Sequence, residues 1–304
     1  MYNLLKHITG LGWVTAILLS LLLLGLWVPS FIANPLLCAV TCTLALFNAM
    51  LLIALLYRTG VTRVLSGMPM VCYLCLMGMM PALHTLWQSQ VAVLCLLTII
   101  LLLHLSWRKN PAVQESFGAT LLLCAAGLFM PDMLVFVPLL WGGMMTQRAF
   151  SVRTWMASLT AIALVALYGW IAWHWFDWTL RLASPYEAFL LRNVGLPSGE
   201  IIPAALIVLF GFFFAVCGLL DYNRENVSVQ SLFVILTAIL LVAGILMFFP
   251  PVLFPSAAAA AVCATAGLAA VFFTSHQSLF AGISFLLFLL LPVAVTLLHF
   301  FGIY

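Results

Sequence analysis

Cys72 and Cys75 stand three residues apart in Cys72-Tyr73-Leu74-Cys75, the spacing used by redox pairs and by metal sites. No second pair, no trailing histidine and no surrounding βαβ pattern accompanies them. All eight cysteines fall in apolar stretches, where cysteine behaves as a small apolar side chain, so the expectation is inert packing with no metal and no cofactor. The six histidines are His7, His84, His104, His174, His276 and His299. His84, His174 and His299 fall near the same end of their predicted helices. That placement suits a facing pair of haem ligands, or separate hydrogen-bonded residues at a membrane interface.

Among the seven acids, Asp132 has a distinctive setting, in the tight Pro131-Asp132 turn between two short apolar segments. A carboxylate there could serve as an acid or a metal ligand in an outward cavity. It could equally cap a helix beginning at Met133, a role aspartate fills well. Trp170, Trp173, His174, Trp175, Asp177 and Trp178 form an aromatic and polar cluster at a predicted helix exit. Interfacial belts collect such aromatics, and aromatics beside an acid and a histidine also suit a sugar or a lipid head group. Arg181 and Arg192 are cations able to hold a phosphate, or to pair with Asp177 and Glu187. No Asp, Glu, Lys or Arg falls in the middle of any predicted helix, so the embedded charges that mark pumps and ion-coupled transporters are missing.

The elements that position these residues follow from composition. Only 6% of the 304 residues are charged and 66% are hydrophobic, whereas a soluble domain carries about 25% charged residues. Lipid must therefore face most of the surface. The net charge of +3, without a basic run, gives no footprint for nucleic acid. Apolar stretches recur at 9–28, 35–57, 68–86, 90–107, 115–130, 132–146, 154–176, 200–219, 231–250, 254–274 and 278–302. Most match the roughly 20 residues needed to span a bilayer, and in lipid each must be helical. The expectation is an all-α polytopic membrane protein of ten or eleven helices in one domain, 1–304. The apolar run 11–28 is longer than the core of a secretory signal and reads as a retained first helix. Pro81, Pro138 and Pro292 fall inside spans and are expected to kink them. The segments at 115–130 and 132–146 are two short spans or one re-entrant hairpin turning at Pro131-Asp132.

Lys6, Arg58, Arg63, Arg108, Lys109, Arg148, Arg153 and Arg224 fall on one side of this alternation, and only Arg181 and Arg192 on the other. The positive-inside rule then places the N-terminus in the cytoplasm and the C-terminus outside. Residues 177–199 become the main external segment. Tyr186, Phe189 and Leu190 share one helical face there, which suggests a short helix lying along the membrane surface.

From Pro81 to Trp175 the layout resembles the middle of C-type, lipid-linked-sugar glycosyltransferases. Two helices flank the basic turn Trp107-Arg108-Lys109-Asn110-Pro111. Gly118 to Phe129 then leads into the Pro131-Asp132 turn, a short helix ends at Gln147-Arg148, Arg153 follows, and the exit is rich in tryptophan. The order of short helices and the Arg148 to Arg153 turn also resembles an uncharacterised family of bacterial polytopic inner-membrane proteins. The glycosyltransferase resemblance implies a catalytic acid in a long first external loop, but that loop is only Pro29-Ser30-Phe31-Ile32-Ala33-Asn34. It holds no carboxylate to act as a base. The resemblance thus implies a non-catalytic or degenerate component of cell-envelope assembly in the bacterial inner membrane. Such a component binds lipid or a lipid-linked glycan through His84, Trp173, His174, Arg181, Glu187 and Arg192. An active transferase using Asp132 or Asp177 is one alternative, and a permease for a small or lipidic solute is another.

Overall fold

The computed structural model describes residues 13–61, 66–107, 112–175, 198–221, 227–248, 254–276 and 278–300. The described residues are α-helices and short 3₁₀ turns joined by brief connections, with no strand among them. Helix α1 (Trp13–Leu24) passes through a 3₁₀ turn, Gly25–Trp27, directly into α2 (Val28–Ala33). Pro29 sits in the first turn of α2, where its missing N–H breaks no helical bond, so the chain stays helical beyond the expected end at residue 28. Next come α3 (Pro35–Arg58), α4 (Met68–Gly78), α5 (Trp87–Leu105), α6 (Val113–Phe129), α7 (Val137–Thr146) and α8 (Val152–Trp175). The last four are α9 (Ile201–Asp221), α10 (Val227–Phe248), α11 (Phe254–Ser275) and α12 (Leu279–Phe300).

Among the described residues, eight apolar helical segments are long enough to cross a membrane, with mean hydropathy between 1.7 and 2.8: α1 with α2, then α3, α5, α8, α9, α10, α11 and α12. Their outer faces carry large bare side chains such as Ile32 and Leu220, each 79% exposed, which only lipid can cover. The protein is therefore a multi-pass helical membrane protein. Three further apolar helices are shorter: Met68–Gly78, Val113–Leu128 and Met133–Thr146.

The short helices differ from the expected spans in instructive ways. The stretch 68–86 is not one kinked helix. Helix α4 stops at Gly78, Met79 and Met80 bridge, and Pro81 opens a separate 3₁₀ turn, Pro81–His84. At about 1.5 Å per residue, α4 reaches only half of a 30 Å hydrocarbon core. It survives because every one of its residues is buried, packed against α1, α3, α11 and α12. Pro138 stands in the first turn of α7 and kinks nothing. Pro292 does lie inside α12. Pro131–Phe136 is a 3₁₀ turn with Asp132 inside it, so Asp132 is not the residue preceding a helix that starts at Met133. Its side chain lies outside the described residues.

Helix α11 forms the centre. α11 has an unbroken buried run from Ser256 to Ala270, mostly alanine, and α9, α10, α4 and α5 pack around it. Small side chains permit this close approach. On the other flank, α6 and α7 are tied to α8 by hydroxyl and indole bonds: Thr120 Oγ1 and Ser158 Oγ lie 2.8 Å apart, and Trp141 Nε1–H donates to Ser158 Oγ at 2.9 Å. Such bonds fix two helices too short to be held by lipid span alone.

Candidate functional site

The break after α4 leaves carbonyls that the helix no longer satisfies, and in an apolar setting each needs a donor. Side chains from α12, from α3 and from the 3₁₀ turn itself surround the break. Thr296 of α12 donates to the Gly78 carbonyl at 3.1 Å. The Thr41 hydroxyl of α3 lies against the His84 carbonyl. His84, fully buried at the end of the 3₁₀ turn, places Nε2 at 3.0 Å from the Met77 carbonyl. A carbonyl can only accept, so Nε2 carries the hydrogen and Nδ1 accepts from the Ser30 hydroxyl of α2 at 2.9 Å. The imidazole also stacks on Trp27 with ring centres 4.1 Å apart and planes 14° from parallel.

Glu200 enters the same turn from another part of the chain. It closes the 3₁₀ turn Ser198–Glu200 that feeds straight into α9, and it is only 4% exposed. Its Oε1 accepts the Ala82 backbone N–H at 3.0 Å. Among the described residues Glu200 is the only buried carboxylate, and no Lys or Arg is buried. Two polar atoms around this turn lack a partner among the described residues: Glu200 Oε2 and Trp27 Nε1. One can accept and the other can only donate. Leaving such groups dry costs about 1–3 kcal/mol each.

Burial sets the protonation of both ionisable groups, which lie on connecting turns outside the spanning helices. It pushes the Glu200 carboxyl up from 4.5 to about 7, against the opposing pull of the Ala82 N–H. It pushes His84 down from 6.5 to about 4, against the pull of the Met77 carbonyl. The turn thus pairs a neutral imidazole with a carboxyl that gains or loses its proton near neutral pH.

A second polar group continues inward from Met77. Gln90 Nε2 donates to the Met77 sulfur at 3.6 Å, and Gln90 Oε1 accepts from Tyr73 OH at 2.9 Å. Asn48 Nδ2 donates to the Gln90 carbonyl at 2.9 Å and to Gln90 Oε1 at 3.2 Å. Asn48, Tyr73 and Gln90 are all fully buried, and Asn48 Oδ1 has no partner among the described residues. Polar side chains therefore run from the His84 turn into the interior of the bundle, all of them uncharged.

Of the residues singled out from sequence, His84 stands at the centre of this site. His174 is exposed at the end of α8 and stacks on Trp170 at 5.8 Å, away from the buried cluster. Asp177, Arg181, Glu187 and Arg192, with the rest of the 177–197 stretch, lie outside the described residues, as do the side chains of Trp173 and His299. Cys72, Cys75 and Cys263 are buried free thiols, and Cys75 Sγ–H points at the Phe288 carbonyl at 3.5 Å. Among the described residues no three His, Cys, Asp or Glu side chains converge to hold a metal ion. Sequence reading missed Glu200, Trp27, Ser30 and Thr41 as site residues. The available signal was Glu200 itself, an acid abutting a run of twenty apolar residues. Comparison with protein-family models, with curated proteins and with solved structures finds no match for this chain.

Proposed function

We propose that the protein is a proton-linked permease for a small or lipidic solute, with Glu200 as the group that takes up the proton and His84 as the neutral partner that holds its turn in place. One observation carries this reading: a buried carboxyl near neutral pKa, with one oxygen unpartnered among the described residues, sits on a connecting turn packed against the turn that follows the broken helix α4. Ionisable groups buried in such bundles mark proton and solute routes, and interrupted helices mark the sites where solutes bind. In this reading the chain has eleven membrane segments, three of them short, in a bacterial inner membrane. Its N-terminus is cytoplasmic, and the His84 turn belongs to the outer side.

The test uses purified protein in vesicles loaded with a pH-sensitive dye. Amino acids, sugars and fatty acids are offered one class at a time. At least one class should drive internal acidification with the wild-type protein and fail to do so with Glu200→Gln. If no class moves protons, or the Gln variant matches wild type, the reading is wrong.

A second reading rests on the exposed Trp170–His174 stack at the end of α8, immediately before Asp177. An open aromatic face beside the 177–199 segment suits a non-catalytic, glycosyltransferase-like component that binds a lipid-linked glycan. Saturable binding of a short polyprenyl-phosphate sugar, lost in Trp170→Ala, would favour it over the permease.

A further inference from the structure

The turn from α7 into α8 carries two arginines, Arg148 and Arg153, both exposed. Thr154 Oγ1 donates back to the Ala149 carbonyl at 3.2 Å. That bond folds the turn on itself, and the arginines are the residues immediately before the two it joins. Among the described residues neither guanidinium group is hydrogen-bonded or ion-paired. Glu115, half-buried in the first turn of α6, stands on the same end, beside Ser116, whose hydroxyl donates to the Thr154 carbonyl at 2.9 Å. One carboxylate against two guanidinium groups leaves the turn cationic. Arg148 is also held in a strained backbone. Its φ of 55° makes it the only non-glycine residue at positive φ among the described residues. It ends α7 as glycine usually ends a helix: the Arg148 N–H donates to the Met145 carbonyl and the Ala149 N–H to the Met144 carbonyl, each at 3.0 Å. Glycine would take that position without strain. A strained residue kept at an exposed position points to a use for its side chain. The surroundings are apolar: Met145, Phe150, Val152, Trp155 and Met156 are between 38% and 78% exposed. Val152 is the first residue of Val152–Ala172, an apolar segment long enough to cross a membrane. Such side chains are unfavourable in water and arginines are unfavourable in hydrocarbon, so the turn belongs at the boundary between them.

We propose that this turn binds an anionic phospholipid, with its phosphate at Arg148 and Arg153 and its acyl chains against Phe150, Val152 and Met156. Charge selects the head group. A lipid with a net negative head supplies the partner that both guanidinium groups lack, whereas a zwitterionic head brings its own ammonium into a turn that is already positive. Apolar exposure selects a lipid over a soluble anion, because the bare side chains around the arginines need cover that a free phosphate does not give. This assignment does not depend on proton-linked transport at Glu200, since the two share no residue.

The experiment is native mass spectrometry of the full-length purified protein, offered equal amounts of dioleoyl-phosphatidylglycerol and dioleoyl-phosphatidylcholine in detergent. The wild-type protein should retain the anionic lipid over the zwitterionic one by roughly tenfold. Arg148→Gly and Arg153→Gln should each lower that ratio about fivefold, the change that about 1 kcal/mol per basic residue produces. Arg148→Gly also relieves the positive φ, so its thermal unfolding midpoint should rise while its lipid preference falls. A folding defect cannot produce that combination. Arg58→Gln removes an equally exposed arginine from α3, which packs on α4 and α5, and should leave the ratio unchanged. Equal retention of the two lipids by wild type overturns the proposal. So does a wild-type ratio in both Arg148→Gly and Arg153→Gln, or an equal drop in Arg58→Gln, which would show diffuse charge attraction instead of a site.

Discussion

Glu200→Gln should change how stability depends on pH, relative to wild type, by roughly 3 kcal/mol between acid and mildly alkaline conditions. The folded carboxyl holds its proton up to about pH 7, whereas the ordinary value is 4.5. Between those values the native protein binds the proton more tightly than the unfolded chain does. The resulting stabilisation is fully present below 4.5 and is lost as pH rises through 7. His84 works in the opposite sense. Its folded value near 4, against 6.5, means that the unfolded chain binds the extra proton, so the native state weakens as pH falls from 6.5 through 4. The two trends oppose each other between 4.5 and 6.5, and the wild-type profile alone should be flat there. The difference between wild type and Glu200→Gln, measured as thermal unfolding midpoints in detergent from pH 4 to 8, isolates the glutamate. A flat difference would place Glu200 in contact with bulk water.

His84→Ala should be among the most damaging single changes in the bundle, costing about 3–5 kcal/mol. It empties the space between Trp27 and the end of α4, and it leaves the Met77 carbonyl and the Ser30 hydroxyl without the imidazole bonds made at 3.0 and 2.9 Å. The Met77 carbonyl keeps the Met80 N–H at 3.1 Å, so the cavity and the lost imidazole bonds make up the cost. His84→Phe keeps a ring against Trp27 but restores neither bond, so it should recover only part of the loss. Unfolding midpoints of both variants, with helix content checked by circular dichroism, decide the matter. An alanine variant as stable as wild type would mean that the turn is held by Thr41, Thr296 and packing alone.

Much of the architecture was legible in the residues. Scarce charge and recurrent apolar runs announced a multi-pass membrane protein, and eight of those runs are helices long and apolar enough to cross a membrane among the described residues. The break at Gly78–Pro81 was half legible. Proline marks an interruption, but a kink and a full stop look alike in a hydropathy profile. Choosing between them takes the tertiary bonds from Thr296, His84 and Thr41, which come from 218, 7 and 43 residues away. Glu200 was not legible as a site residue for a related reason. An acid at the start of an apolar run has the same local signature whether it faces head groups or a protein interior, and only the fold brings Ala82 to it. The trio Asn48, Tyr73 and Gln90 is neutral, so no charge marks it within the apolar runs. Their polarity matters because they are buried together, a property no single stretch of sequence contains.

As proposed, Glu200 is a protein-enclosed proton acceptor working near neutral pH. Infrared difference spectroscopy of the full-length protein in lipid tests it directly, by following the protonated-carboxyl stretching band of wild type that is missing from Glu200→Gln. That band should persist through weakly acidic pH and disappear with a midpoint of about 7. A midpoint at the ordinary 4.5 would contradict the account, because an acid that ionises as it does in water is neither buried nor placed to carry protons through the bundle.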